Sequence, residues 1–251
     1  QFGTLVQFHG DRIDLGLGRA PGTDGATAYA LRSRLDRREG DDFLERLHEL
    51  TLWETRDFPA GHPYHNVVAM PDDSPLPPIW LLGSSDYSAE LAAQVGMGFA
   101  FAHHFATHDA IAAMTNYRAH FKPSGWRATP QSILAVAVVA ADTDAEAEQL
   151  ALSMDLNRLR RDRGQYLPLP SVEEAEAYPY TDAERASIAR NRARLFVGSP
   201  ATVMAKLEPL IAASQADELM VITAVYDHAA RKKSYSLLAE AFGLAKRVAA
   251  S

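Results

Sequence analysis

The sequence has no cysteine among its 251 residues. This absence excludes disulfide bonds, thiolate metal ligands and a cysteine nucleophile, and it is typical of an intracellular protein. An excess of positive charge is also lacking, since 25 Lys and Arg stand against 32 Asp and Glu, for a formal net charge of -7. Without a basic stripe or a polybasic segment, neither nucleic acid nor an anionic membrane is an expected partner.

Long hydrophobic runs are missing as well. A run such as 133–141 is far shorter than the roughly 20 residues that a membrane-spanning helix requires. No charged and then apolar signal sequence opens the chain. We therefore expect a cytoplasmic protein with no membrane contact. The chain does have enough apolar residues to form one large core, since 47% of its residues are hydrophobic and 23% are charged. Its length suits a single α/β barrel.

Short apolar runs alternate with amphipathic stretches along the chain. The predicted strands are 12–18, 79–82, 98–105, 131–140 and 218–226, and the predicted helices are 27–35, 41–51, 88–95, 109–121, 144–157, 181–195 and 200–214. Strands that alternate with helices indicate parallel βαβ units, so the predicted fold class is α/β. The polar, proline-containing stretch 158–180 is predicted to be a loop, which begins an insertion at about 158–195.

The stretch 78–96 carries the most informative local pattern. Its apolar run breaks at Gly83 into Ser84 and Ser85, and an alanine-rich helical pattern follows. A helix that begins there has unpaired backbone N–H groups at its N-terminus, where these donors and the helix dipole favour a phosphate. Because Ser and Asp cap many helices, an ordinary N-cap explains the same residues.

A dinucleotide fingerprint is disfavoured at 16–22. The segment lacks the G-x-G-x-x-G spacing, and Pro21 interrupts the helix that such a motif must open.

A metal site at His103 and His104 is disfavoured too. Neighbouring residues of a strand point to opposite faces, so these two imidazoles are not expected to chelate one ion.

Four segments in this order carry a resemblance to a known family: 12–22, 78–96, 99–105 and 196–200. Together with the ending at 217–228, they resemble the bacterial luciferase-like flavin monooxygenases over essentially the whole chain. Within that family, the Trp-Leu-Leu-Gly-Ser-Ser turn and the Ala-His-His-Phe strand end are similar to the alkane-monooxygenase-like subgroup.

The resemblance implies a fold of the TIM (β/α)8-barrel type, of which this chain carries strands 4 to 8. We therefore expect residues 1–251 to form one luciferase-like barrel domain that is incomplete at its N-terminus. Five strands do not close a barrel, and closure removes the exposed edges of a sheet. The alternative is an open, doubly wound sheet that is complete at five strands.

The resemblance also implies a binding site for flavin mononucleotide (FMN). Arg19 matches the arginine that pairs with the FMN phosphate, and a guanidinium offers a planar fork of donors to phosphate oxygens; the alternative is a solvated surface arginine. Ser85 and Ser88 match small hydroxyl residues that receive the same phosphate. Gly83 lets the chain turn close to the ligand. Ser84 stands where the family pattern has an acidic residue near the flavin ring, so that carboxylate is not inherited.

His103 and His104 are the candidate catalytic residues. At most one of them is expected to face the barrel mouth, where a histidine can hydrogen-bond a flavin oxygen or transfer protons near neutral pH. The alternative for each is a packed, hydrogen-bonded histidine at the end of a strand.

The implied activity is oxidation of a small organic substrate with reduced FMN and O2. A separate flavin reductase is expected to supply the reduced FMN, and a homodimer is the expected assembly. A deazaflavin (F420)-dependent oxidoreductase of the same superfamily is the nearest alternative. A non-catalytic flavin-binding protein or fragment is an alternative of another class. A sugar-phosphate barrel enzyme would need an acid/base pair at strand ends, and the predicted strands offer none.

Overall fold

The computed structural model describes residues 1–20, 25–31, 42–72 and 74–244. In these ranges the helices are α1 (Phe2–His9), α2 (Gly25–Leu31), α3 (Phe43–Thr55), α4 (Asp86–Val95), α5 (Ala110–His120), α6 (Asp144–Asp162), α7 (Val172–Ala177), α8 (Asp182–Arg192), α9 (Pro200–Ser214) and α10 (His228–Ala241). The strands are β1 (Leu15–Gly18), β2 (Ile79–Gly83), β3 (Gly98–Ala102), β4 (Ser132–Ala140), β5 (Leu195–Gly198) and β6 (Glu218–Ile222). Three sequence predictions lie partly outside the described residues. They are residues 21 and 22 of the segment 12–22, residues 32–35 of the predicted helix 27–35, and residue 41 of the predicted helix 41–51.

Several helices begin where a side-chain oxygen satisfies a free backbone N–H group. The carboxylate of Asp109 accepts hydrogen bonds from the N–H groups of Ile111 and Ala112 at the start of α5. Ser199 caps α9 in the same way, and Pro200 occupies its first turn. Such caps replace the intrahelical acceptors that the first turn lacks.

The strands form one parallel sheet around β4. Its path is β1-β2-β3-β4-β5, and β6 pairs with β4 off this path. All nine residues of β4 are buried. Ala137 pairs with both Leu195 of β5 and Ile222 of β6. Within the described residues the sheet is open: its path ends at β1 and at β5, and β6 pairs only with β4.

The two faces of the sheet differ in their cover. One face packs against α4, α5 and α9 through a large core that includes Phe99, Phe101 and Leu134, each 0% exposed. On the opposite face, which we call the inner face, Trp80, Ala100 and Ile133 form a smaller buried cluster. Leu82 and Met220 are 47% and 53% exposed. The inner face is therefore apolar but only partly covered by the described residues.

The parallel α/β class is confirmed, and a strand lies at each of the five predicted strand segments. A closed TIM barrel, the assignment to barrel strands 4 to 8 and the single domain over 1–251 stay predictions. Among the described residues, no helix is both long and apolar enough to cross a membrane.

The prediction of a loop over 158–180 is wrong at 158–162 and at 172–177. α6 continues through Asp162, because Leu159 is buried beside Ala175 of α7 and the basic residues in the last turn suit the negative end of a helix dipole. α7 then forms inside the stretch that was expected to lack structure. The insertion at about 158–195 is thus largely helical, and its boundaries stay a prediction.

Two further elements were not predicted. α8 ends at Arg192, and the last predicted helical residue, Leu195, begins β5 instead. β5 follows directly on a helical pattern that includes Leu195, so no break in the sequence indicates a strand there, and its pairing with β4 makes it one. α10 follows β6 and buries Leu238 in the main core.

Replacing Gly98 by alanine tests the packing of the inner face. A Cβ at this position would lie 2.5 Å from the Trp80 ring, so the ring must move, and such overpacking costs about 1–3 kcal/mol. We expect urea denaturation to show a lower free energy of unfolding by that amount. The control is Gly125→Ala, whose Cβ would meet no atom within 4 Å. Equal losses in the two variants would contradict the described packing.

Candidate functional site

The residues predicted to hold a phosphate meet at the carboxyl ends of β1 and β2. These strands are adjacent and parallel, with Gly18 paired to Leu82, so the residues that follow them lie side by side. A cavity of about 100 Å³ has all five predicted residues in its wall, namely Arg19, Gly83, Ser84, Ser85 and Ser88. We call it the strand-end cavity. The roles of these residues toward a ligand stay predictions.

The start of α4 forms one side of the strand-end cavity. Ser85 is the N-cap and has extended backbone angles. The Ser88 hydroxyl donates a hydrogen bond to the Ser85 carbonyl oxygen at 2.8 Å and lies 3.4 Å from the Ser85 nitrogen. The first turn of a helix has no intrahelical acceptor for its N–H groups. Two hydroxyl groups and the backbone N–H groups of the first turn of α4 therefore lie on this side of the cavity, where Ser85 and Ser88 also bind each other in a capping box.

Gly83 is needed for the close approach of β2 to α4. A Cβ at Gly83 would lie 2.0 Å from Ser88 Oγ and 2.3 Å from Ser88 Cβ. No real Cβ contact is that short, so any larger residue would push the helix start away from the strand. The glycine thereby sets the width of the strand-end cavity.

Arg19 supplies a cationic group at the same place. Its guanidinium carbon lies 4.9 Å from the centroid of the Tyr87 ring, a distance at which a cation and an aromatic face attract each other. Tyr87 belongs to the first turn of α4. This contact holds the positive charge beside the helix N-terminus.

His103 and His104 lie in a turn after β3, so the prediction that they occupy a strand is wrong. β3 ends at Ala102, because the N–H of Ala106 donates to the Ala102 carbonyl and folds the chain back. The side chains still diverge. The His103 ring lies 5.9 Å from the Phe196 ring, whereas His104 Nδ1 lies 3.2 Å from the Ala135 carbonyl oxygen.

Both imidazoles are held toward their neutral form. Burial lowers the pKa of His103, and the charge of Arg194 lowers it further. Burial also lowers the pKa of His104, and Arg158 adds to this against the opposing effect of the hydrogen bond to Ala135. At neutral pH each ring can therefore accept a proton.

A second cavity, of about 350 Å³, lies beside His104 between the turn after β3 and α6. Its wall includes Arg158 of α6 and Arg194, which precedes β5. No motif in the sequence marks these arginines as site residues. The only local signal was the basic run at 158–163, whose place next to His104 depends on the fold. We call this space the arginine cavity.

A parallel α/β sheet with hydrogen-bond donors gathered at the carboxyl ends of its strands is the arrangement of α/β proteins that bind ligands at that edge. The chain belongs to the luciferase-like monooxygenase family, whose model matches residues 1–218. Membership in this family makes it an oxidoreductase.

Relatives match almost the full chain. It is 40% identical to the uncharacterised protein YvbT of Bacillus subtilis (strain 168), over 96% of this chain and 70% of the relative. It is 38% identical to a luciferase-like monooxygenase of Escherichia coli (strain K12), over 94% and 69%. It is 31% identical to the N-acetyl-S-alkylcysteine monooxygenase of Bacillus subtilis (strain 168), over 98% and 73%.

Solved structures share the fold. Apo-MsnO8 superposes with a TM-score of 0.83 and 36% identity, over 98% of this chain and 72% of that one. The oxygenating constituent of 3,6-diketocamphane monooxygenase from Pseudomonas putida, solved with FMN, superposes with a TM-score of 0.55 and 22% identity, over 94% of this chain and 72% of that one. The F420-dependent tetrahydromethanopterin reductase of Methanopyrus kandleri gives 0.52 and 15%, over 89% and 71%. The last two likenesses concern the fold alone.

The ionisation of His104 gives a direct test of its surroundings. We expect an NMR titration of the ring to give a pKa below that of the same residue in the urea-unfolded chain, because burial disfavours the imidazolium. Since the unfolded chain then binds the proton more readily, the contribution of His104 to stability is present above a pH of about 6.5 and is lost as the pH falls below it. A ring pKa at or above the unfolded value would contradict the described burial.

Proposed function

We propose that the chain is an FMN-dependent monooxygenase whose strand-end cavity holds the phosphate of the flavin. The observation that carries the proposal is the meeting of Arg19, Ser85 and Ser88 at one helix N-terminus. These residues come from two separate segments of the sequence. The family model that matches most of the chain supports the same cofactor chemistry.

The donor set suits a phosphate dianion. Arginine pairs with phosphate through two parallel N–H groups, and such charge-assisted hydrogen bonds are about twice as strong as neutral ones. The positive end of the α4 dipole adds about 0.3–1 kcal/mol for an anion at its first turn. Ser85 and Ser88 offer hydroxyl groups that can turn toward the ligand. A cavity of this volume and charge fits a phosphate group.

The flavin ring requires an apolar surface next to the phosphate. Gly16 and Gly18 give the inner face of β1 no side chains, and the neighbouring Leu82 is 47% exposed. A Cβ at Gly16 would already lie 3.1 Å from Leu82 Cδ1. The inner face beside the strand-end cavity therefore offers a flat apolar surface of the kind that an aromatic ring system can cover.

When bound, reduced flavin supplies two electrons to O2, so that one oxygen atom enters the substrate and the other leaves as water. The chain orients the cofactor through Arg19 and the start of α4. Leu82 and Trp80 give the inner face an apolar surface, which would limit the access of water to a bound flavin and so limit unproductive oxidation. An Nδ1–H of His104 that donates to the Ala135 carbonyl leaves Nε2 as a proton acceptor.

Other parts of the assignment follow from family resemblance. They are a small organic substrate, a separate flavin reductase, a homodimer and a cytoplasmic location. The relative named as an N-acetyl-S-alkylcysteine monooxygenase supports oxygen transfer to a small organic molecule. The alkane-monooxygenase-like subgroup remains a prediction.

The second candidate function is hydride transfer with F420. Its support is the fold shared with the F420-dependent reductase, at a TM-score of 0.52. A non-catalytic flavin-binding protein is the third candidate. A monooxygenase takes up oxygen in the presence of reduced FMN and forms an oxygenated product. Neither of the other two candidates does so, and this measurement therefore separates them from the monooxygenase. Reduced F420 turnover without oxygen uptake would favour the second.

Comparing FMN with riboflavin tests the phosphate site, because the two molecules differ only by the phosphate. We expect the protein to bind FMN more tightly and Arg19→Ala to weaken FMN binding by about tenfold or more. Riboflavin binding should change little. The measurement is anaerobic titration of the oxidised and reduced forms, followed by absorbance and fluorescence.

The matched control is Arg12→Ala, which removes an exposed arginine before β1, at the opposite end of the same strand. It changes the net charge by the same amount as Arg19→Ala. Equal weakening of FMN binding in the two variants would mean that the overall charge acts and not a site at Arg19. Equal affinities for FMN and riboflavin in the unmodified protein would also contradict the proposal.

A further inference from the structure

The arginine cavity has an excess of positive charge. Three arginines are in its wall, namely Arg158, Arg161 and Arg194, against the carboxylates of Asp155 and Asp162. Asp155 is already bound by Arg192 in a bidentate pair at 2.7–3.0 Å, and only 7% of its side chain is exposed. Asp162 accepts a hydrogen bond from Asn191 at 3.2 Å. The carboxylate charge of Asp162 is thus left to balance three guanidinium groups.

Arg158 and Arg194 form no ion pair with a carboxylate in the described ranges. Instead, both bind backbone carbonyl oxygens of the turn after β3. Arg158 Nη1 donates to the His104 carbonyl at 2.6 Å, and Arg194 Nη1 donates to the Ala106 carbonyl at 2.8 Å. Each guanidinium has five N–H donors. Donors therefore remain for a further acceptor in the cavity.

The two guanidinium groups are close enough to affect each other. Burial lowers the pKa of Arg158, and the positive charge of Arg194 lowers it further, against the opposing effect of the Asp162 carboxylate. Two like charges that are both partly buried and that form no ion pair with a carboxylate destabilise the site. An anion between them would satisfy their remaining donors and relieve this repulsion.

The rest of the wall is apolar. It includes Phe105, Ala137, Met154 and Leu195. A volume of about 350 Å³ lies at the small end of the range for small-molecule sites, which is about 300–1,000 Å³. Ala137 belongs to β4 and His104 follows β3, so the cavity lies beside the carboxyl end of β3.

We propose that the arginine cavity binds an organic acid, with its carboxylate on Arg158 and Arg194 and its hydrocarbon part against Phe105, Met154 and Leu195. An apolar wall beside a cationic one selects a molecule with both features. This identification of the ligand as the substrate rests on the proposed monooxygenase function. The binding itself does not, because it depends only on residues of this cavity.

Hexanoate and 1-hexanol are suitable probes, since they share a chain and differ in charge. Isothermal titration calorimetry of the unmodified protein without flavin should show hexanoate binding about tenfold or more tightly than 1-hexanol. Arg158→Gln should remove most of that difference, and Arg158→Lys should retain part of it. Arg231→Gln, at an exposed arginine of α10, is the matched control and should change nothing.

Three results would overturn the proposal. Hexanoate could bind no better than 1-hexanol to the unmodified protein, a comparison that does not depend on how any variant folds. Hexanoate binding could be unchanged in a folded Arg158→Gln protein, as judged by circular dichroism. Inorganic phosphate could bind to the same arginines more tightly than hexanoate, which would make the cavity a phosphate site.

FMN titration separates this proposal from the proposed function. Arg158→Gln should leave the FMN dissociation constant unchanged within about twofold, since the strand-end cavity lies at other strands. Hexanoate binding that depends on Arg158 in a protein that binds no FMN would support the acid site and refute the flavin assignment. FMN binding by a protein that shows no preference for hexanoate over 1-hexanol would support the flavin assignment and refute the acid site.

Discussion

The pairing of β4 on both of its sides is the constraint on which the rest of the structure depends. This fully buried strand is hydrogen-bonded to β3, β5 and β6, and Ala137 alone joins two of them. Because all the strands are parallel, each of their carboxyl ends reaches the same edge of the sheet. Loops that are far apart in the sequence therefore meet there. The strand-end cavity lies at that edge, and the arginine cavity lies between the carboxyl end of β3 and the start of β5.

The two cavities differ in how they present positive charge. At the strand-end cavity, one guanidinium stands beside a helix N-terminus and is held against Tyr87. At the arginine cavity, two guanidinium groups hold the turn that contains His104 by its carbonyl oxygens. We therefore propose different ligands for the two cavities: the cofactor phosphate for the strand-end cavity and a substrate carboxylate for the arginine cavity. The neutral imidazole of His104 borders the second cavity, where a proton acceptor is chemically useful.

Local patterns were sufficient for much of this fold. The glycine-serine break at Gly83 predicted a strand, a turn and a helix, and Arg19 was placed with that turn because their segments resemble those of one family. The arginine cavity could not be predicted in this way. Arg158 meets His104 only because α6 packs against β4 and β5, next to the turn after β3. Arg194 follows a helix that the sequence pattern extends three residues too far. Long-range packing decides such contacts, and neither periodicity nor composition records it.

A crystal structure of the protein with FMN would test the central claim most directly. We expect the phosphate to lie in the strand-end cavity, within hydrogen-bond distance of Arg19 and of Ser85 or Ser88. A phosphate bound instead between Arg158 and Arg194 would contradict it and would exchange the proposed roles of the two cavities.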